Sequence, residues 1–173
     1  WIMRKINLLN GDCALEAWKQ CALAGETLVW RENYLHGRLP DTADLTAFNS
    51  IRAEELHTIA NGATAAEIFA DLQTMHNTLL SLNADDLLTL WFDYCPFDRT
   101  MLARVLYLLS TMPAVPQIRL IIQDTVWDKA AFLRYADTGI MLTGSDLCYG
   151  KEQWQDYCGK ITAPENLMQR FTC

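Results

Sequence analysis

Four apolar, β-prone segments of the chain each end at or just before a carboxylate. The predicted strands lie near residues 5–9, 27–31, 87–92 and 118–123, and the acids beside their ends are Asp12, Glu32, Asp93 and Asp124. The carboxyl ends of parallel strands meet at one edge of a sheet, where open α/β folds bind ligands. Carboxylates about 4–6 Å apart raise one another's pKa or share a divalent cation. The pattern predicts Asp12, Glu32 and Asp93 as catalytic acids, with Asp12 and Asp93 also ligating a cation such as Mg²⁺.

The turn Asn10-Gly11-Asp12 places backbone N–H groups at the start of the next predicted helix. Such groups attract anions, although the segment matches neither the dinucleotide-binding glycine fingerprint nor a P-loop. Arginines near the strand ends would pair with an anionic ligand, and a loop histidine would transfer protons. The ligand-binding residues predicted in this way are Asn10, Gly11, Arg31, His36, Arg52 and Asp98.

A structural role explains part of the same pattern. Aspartate is common after strands because it caps the next helix and favours turns, and Asp98 and Asp124 fit that role. His36 fits a solvated loop histidine as well as a proton-transfer group. Cys13, at a helix start, could be a nucleophile of lowered pKa, but no histidine is predictably close to it. The residue types alone leave both interpretations open.

Predicted helices alternate with the strands, which indicates a doubly wound α/β fold. Helical patterns cover residues 14–24, 44–60, 64–80 and 96–112. The apolar strands are typical of a mostly parallel sheet covered on both faces, and we expect about four or five strands. If their order is the common 2-1-3-4, the topological switch lies between the first and third strands, and Asp12 and Asp93 flank the same crevice. Residues 1–125 would form this domain. Residues 126–173 would form a helical extension packed on it, with short helices near 128–136, 150–158 and 164–171.

Composition and charge exclude several classes of protein. The chain has 173 residues, a formal net charge of −7 and a pI of about 4.8, which argues against a nucleic-acid partner. Its apolar runs are far shorter than the about 20 residues that a transmembrane helix needs. The 6 cysteines have neither Cys-x-x-Cys pairing nor metal-finger spacing from a histidine, so free thiols and a cytoplasmic location are expected.

An ordered set of short segments carries a family resemblance. The segments are Asn10-Gly11-Asp12, Trp30-Arg31-Glu32 with Leu35 and Gly37, Arg52, Leu90-Trp91-Phe92-Asp93 with Phe97, and Trp154-Gln155 followed by Tyr157-Cys158. Their order resembles the bacterial domain-of-unknown-function family 1835, although that family more often has Ser at the position of Cys13. The resemblance implies a bacterial cytoplasmic protein and members longer than this chain. It implies no reaction, but it draws attention to Asp12, Glu32 and Asp93.

These observations predict a site for a small polar or phosphorylated ligand, such as a nucleotide or sugar-phosphate, at the carboxyl edge of the sheet. A divalent cation would assist binding, and any reaction would be hydrolysis or group transfer, since no redox-cofactor motif is present. The alternative is a non-catalytic module that docks on a protein partner or regulates one. A crevice lined by the acids favours the first prediction, and an exposed apolar patch favours the second.

Overall fold

The computed structural model describes residues 3–158 and 167–172. Strands and helices alternate along most of this length. The strands are β1 (Lys5–Leu9), β2 (Glu26–Val29), β3 (Leu87–Phe92), β4 (Gln117–Ile122) and β5 (Ile140–Met141). The helices are α1 (Asp12–Trp18), α2 (Leu45–His57), α3 (Ala65–Leu80), α4 (Pro96–Ser110), α5 (Lys129–Tyr135) and α6 (Gly144–Tyr157), followed by a 3₁₀ helix at Met168–Phe171.

The five strands form one sheet in the order β2-β1-β3-β4-β5. The first four are parallel, and β5 pairs antiparallel with β4. The predicted α/β fold with a mostly parallel sheet is therefore confirmed, and the strand order matches the common order 2-1-3-4 that the site prediction assumed. The sheet reverses its order between β1 and β3, so the topological switch point, where open α/β folds bind ligands, lies beyond the ends of these two strands.

Helices cover the two faces of the sheet unequally. One face packs against α2, α3, α4 and α6, and its core includes Leu8, Leu90 and Phe48. Among the described residues, the other face packs against α1 and α5, through a smaller cluster that includes Trp18, Trp91 and Phe132. Successive strand residues point to opposite faces, so each strand contributes alternate side chains to the two clusters. This second face, here called the thinner face, is covered by fewer and shorter helices, since α1 and α5 have 7 residues each.

Several element boundaries follow from local chemistry. Thr64 and Glu67 form the predicted capping box at the start of α3, and Pro96 occupies the first turn of α4. Helix α1 ends at Trp18, earlier than its apolar pattern predicts, and the chain then turns through Ala22 with a positive φ of 52°. Helix α6 begins six residues before the predicted start at Gly150, because Thr143 and Asp146 form an unrecognised capping box.

The region beyond residue 125 is not wholly helical. Strand β5 adds two residues to the sheet, and it is held by pairing of Leu120 with Ile140 and of Arg119 with Met141. The short apolar pair Ile140–Met141 gives too little periodicity for a strand prediction from sequence. The helix predicted over residues 164–171 falls partly outside the described residues, and its last part is the 3₁₀ helix. The proposed division at residue 125 stays a prediction.

The described cysteines are Cys13, Cys21, Cys95, Cys148 and Cys158, and all five are free thiols. This agrees with the prediction of free thiols for these five, whereas Cys173 lies outside the described residues. Every helix within residues 3–158 and 167–172 is too short or too polar to cross a lipid bilayer.

Replacing Gly150 by alanine should lower the free energy of unfolding by about 1–3 kcal/mol. Alanine usually stabilises a helix relative to glycine, but a methyl group at Gly150 would overlap the side chain of Leu106, where α6 crosses α4. Gly144→Ala is the matched control, because a methyl group there meets no atom within 4 Å. Urea unfolding measures both variants. Equal stability of the two would contradict the close packing of α6 on α4.

Candidate functional site

The carboxyl end of β3 leads into a compact group of donor atoms. Asp93 follows the strand, Cys95 is the N-cap of α4, and Asp98 lies in the first turn of α4. One ligand atom from each of these three residues lies within 4.8 Å of the others. Asp98 is buried, whereas Asp93 and Cys95 are half-buried. The group, here called the β3–α4 cluster, can therefore be approached from solvent on the side of Asp93 and Cys95.

Hydrogen bonds hold the β3–α4 cluster in place. The Oδ2 atom of Asp98 accepts from Asn10 Nδ2 at 2.7 Å and from the backbone N–H of Asp93 at 2.6 Å. The Oδ1 atom of Asp93 accepts from the backbone N–H of Cys95 at 2.6 Å. Asn10 follows β1, so the cluster joins the ends of β1 and β3. This is the switch point predicted from the strand order.

Burial controls the protonation of the cluster. Burial raises the pKa of the Asp98 carboxyl to about 7, with the neighbouring Asp93 carboxylate adding to the shift. Burial also raises the pKa of the Cys95 thiol to about 12, helped by its hydrogen bond to Asp93. Cys95 is therefore a neutral thiol at physiological pH and a poor nucleophile. Asp98 titrates near neutrality, so a nearby positive charge would shift it toward the carboxylate form.

The donor set suits a divalent cation. Two carboxylates supply hard oxygen ligands of the kind that Mg²⁺, Mn²⁺ and Ca²⁺ prefer. The Cys95 sulfur is a softer ligand that favours Zn²⁺ once it is deprotonated. Three protein ligands leave coordination positions for water or for a ligand oxygen, as in catalytic metal sites. The sequence prediction named Asp93 and Asp12 as the metal ligands. The β3–α4 cluster contains Asp93 but not Asp12.

Asp12 forms an ion pair with Arg31 beyond the ends of β1 and β2. The Nε atom of Arg31 donates to Asp12 Oδ1 at 2.7 Å. Both side chains are exposed, by 58% for Arg31 and 66% for Asp12, so the pair contributes about 0–1 kcal/mol at most. Gly11, just before, has a φ of +126°, a conformation that favours glycine. Asp12 was predicted as a catalytic acid and Arg31 as a partner for an anionic ligand. In the structure their charges instead neutralise each other at the surface.

Glu32 and Arg52 lie inside the protein. Both side chains have 0% exposure and form a two-point ion pair, with Arg52 Nη2 at 2.8 Å from Glu32 Oε1 and Arg52 Nε at 3.2 Å from Glu32 Oε2. Arg52 also donates to the backbone carbonyls of Asn33, His36 and Arg38. Burial raises the pKa of Glu32, and its pairing with Arg52 opposes that shift. The pair holds the loop after β2 against α2, and its carboxylate is engaged within the protein.

His36 contributes to the same loop. Its backbone carbonyl accepts from Arg52, and its Nε2 atom lies 3.0 Å from the hydroxyl of Thr58, just after α2. The imidazole is half-buried and has no contact with the β3–α4 cluster among its described hydrogen bonds. These contacts account for its position, and the proton-transfer role stays a prediction.

The predicted site residues therefore fall into three groups. Asn10, Asp93 and Asp98 come together in the β3–α4 cluster, Asp12 pairs with Arg31, and Glu32 pairs with Arg52 beside His36. The residue missed by sequence reasoning is Cys95. Its signal was the spacing Asp-x-Cys-x-x-Asp across the end of a strand and the first turn of a helix, where the N-cap residue and the third helical residue approach each other.

Comparisons of the chain with protein-family models, with curated proteins and with solved structures gave no match.

Proposed function

We propose that this protein binds a small polar or phosphorylated ligand, such as a nucleotide or sugar-phosphate, together with a divalent cation at the carboxyl edge of its sheet. The observation that carries the proposal is the convergence of Asp93, Cys95 and Asp98 at the switch point between β1 and β3. Open α/β folds bind ligands at such points. The proposal keeps Asp93 as a metal ligand and replaces Asp12 in that role by Asp98.

Each residue of the β3–α4 cluster would have a distinct role. Asp93 and Asp98 would bind the cation, and the cation would hold a phosphate or hydroxyl oxygen of the ligand. Asn10 would orient Asp98 through its hydrogen bond at 2.7 Å. Phe97, which is 45% exposed in the first turn of α4, would offer an aromatic face beside the cation. If the protein is an enzyme, this arrangement suits hydrolysis or group transfer on the bound ligand.

A protein-interaction role is the second candidate, supported by the open edge of the sheet. Strand β5 is an edge strand, and both Ile140 (45% exposed) and Met141 (53% exposed) present apolar side chains to solvent. Exposed edge strands readily pair with another chain. The resemblance to the domain-of-unknown-function family 1835 supports neither role over the other, and membership in that family remains a proposal.

Calorimetric titration with Mg²⁺, Mn²⁺ and Zn²⁺ tests the cation site. We expect at least one of these ions to bind the native protein, and Asp93→Asn to weaken that binding at least about tenfold through loss of one charged ligand. The substitution preserves the acceptor for the N–H of Cys95. Asp85→Asn is the matched control, since Asp85 is exposed at the opposite end of the sheet, just before β3. A nucleotide and sugar-phosphate panel is then titrated with the bound cation present.

Two results would contradict the proposal. In the first, none of the three ions binds. In the second, Asp93→Asn and Asp85→Asn bind the ion equally well. Either result would leave the interaction role of the β5 edge as the favoured function.

A further inference from the structure

A row of polar residues crosses the middle of the sheet on its thinner face. Asn7 of β1, Thr89 of β3 and Arg119 of β4 are directly opposite one another in the strand register. Central strands of a parallel sheet are usually apolar on both faces because helices cover them. Asn7 and Thr89 are nonetheless buried, at 5% and 3% exposure. This row is therefore an exception to the apolar pattern that is usual for the central strands of a parallel sheet.

The row forms the floor of a crevice. Helices α1 and α5 cover the next row toward the carboxyl ends, which consists of Leu9, Trp91 and Ile121. They leave a cavity of about 250 Å³ over the polar row, lined also by Lys5, Trp18, Leu23 and Asp137. Since a water molecule occupies about 30 Å³ in the liquid, the cavity has room for a small organic molecule.

Asn7 shapes the crevice without being free to bind a ligand. Its Oδ1 atom accepts from Trp91 Nε1 at 3.1 Å, and its Nδ2 atom donates to the carbonyls of Ala24 and Glu26. These bonds fix the indole of Trp91 and the chain before β2. The wall and floor of the crevice are therefore held rigidly.

Arg119 is a half-buried cation on the lining of this crevice. Within the described part of the chain its Nε–H is buried and has no hydrogen-bond partner. The turn before β5 packs against its stem, since a methyl group on Gly139 would lie 3.2 Å from Arg119 Cγ. Lys5 is a second cation on the lining, and Asp137 is the carboxylate that the described residues contribute to it. Two cations against one carboxylate on the described lining favour an anionic ligand.

We infer that this crevice binds a small amphipathic monoanion, namely an organic carboxylate whose charged group pairs with Arg119 and whose apolar part packs against Trp18 and Leu23. The two cations and the one acid of the described lining favour one negative charge on the ligand, and the indole and leucine walls favour an apolar body. The crevice lies at the amino-terminal half of the strands, away from the β3–α4 cluster. It is therefore independent of the cation site.

NMR of the ¹⁵N-labelled protein tests this inference through the tryptophan indole N–H signals. The probes are benzoate, benzyl alcohol (the same body without charge) and inorganic phosphate (charge without the body). Benzoate should shift the signals of Trp18 and Trp91 saturably and leave those of Trp30 and Trp154, on the other face, unchanged. Arg119→Gln should weaken benzoate binding at least about tenfold, because a charge-assisted hydrogen bond is lost.

The controls separate a specific site from general effects. Arg134→Gln removes an exposed arginine from α5 and should leave benzoate binding unchanged. Dispersed indole signals of ligand-free Arg119→Gln establish that the variant is folded, and Arg119→Lys should retain part of the affinity. Three results would overturn the inference: no saturable shift with benzoate, equal binding of benzyl alcohol or phosphate, or undiminished binding by Arg119→Gln.

Discussion

Replacing Arg52 by methionine should lower the free energy of unfolding by about 3–5 kcal/mol, because the change leaves a buried carboxylate without its partner. Glu32 has no exposed side-chain surface, and both of its oxygens are bonded to Arg52. Three backbone carbonyls of the loop after β2 would lose their donor at the same time. Equilibrium unfolding in urea at neutral pH measures the effect.

Arg38→Met is the control for this prediction. The Arg38 side chain is 69% exposed, and its Nε atom lies 4.0 Å from Glu55 Oε1, so its ion pair is weak. It should change the free energy of unfolding by less than about 0.5 kcal/mol. The double variant Glu32→Gln/Arg52→Met removes the buried charge as well as the arginine. It should be more stable than Arg52→Met alone. A loss below about 1 kcal/mol in Arg52→Met would show that the pair is not the anchor of this loop.

The stability of the protein should depend on pH through Asp98, and Asp98→Asn should remove that dependence. The pKa of Asp98 rises from an ordinary value of 3.8 to about 7 in the folded protein. Because the folded pKa is the higher one, the stabilising contribution of the protonated carboxyl is complete below the unfolded pKa. It is lost as the pH rises through the folded pKa. The stability of Asp98→Asn relative to the native protein should therefore increase by about 3–4 kcal/mol between about pH 4 and about pH 8.

Urea unfolding of both proteins across this pH range, in the presence of a chelator, measures the difference. The carbonyl oxygen of the introduced amide would still accept hydrogen bonds from Asn10 and from the backbone of Asp93, so the substitution isolates the charge. Asp85→Asn, at an exposed position, should show no such pH dependence relative to the native protein. A constant difference across the range would mean that Asp98 is ionised in the folded protein. A cation that binds the β3–α4 cluster should stabilise the native protein and not Asp98→Asn.

The two predictions concern two kinds of buried acid: Glu32, which is paired with Arg52, and Asp98, whose pKa is raised by burial. Glu32 and Arg52 were predicted as acid and anion partner, yet their mutual pairing explains their burial completely. Asp93 and Asp98 are brought together by a different arrangement, in which a carboxyl group near neutral pKa lies beside a second acid and a thiol. Burial of an acid without a cationic partner is more typical of a functional site than a matched ion pair is.

The sequence by itself determined the alternation of elements and the mostly parallel sheet. Apolar runs such as 87–92 and 118–123 predict buried strands, and the helical patterns between them require crossover connections. A local signal, the capping box of Thr64 and Glu67, was also sufficient to predict where helix α3 begins. These features depend on residues close together in the chain, so a single sequence carries them.

The tertiary structure alone decided which acids lie close together. Asn10 and Asp98 are 88 positions apart, and only the pairing of β1 with β3 brings them within hydrogen-bond distance. Arg52 selects Glu32 as its partner because α2 packs over the loop after β2, a contact that no local spacing specifies. Side-chain orientation and burial set charge pairing and pKa, and both depend on how distant elements pack. For this reason the edge of the sheet was predictable, but the residues that converge there were only partly so.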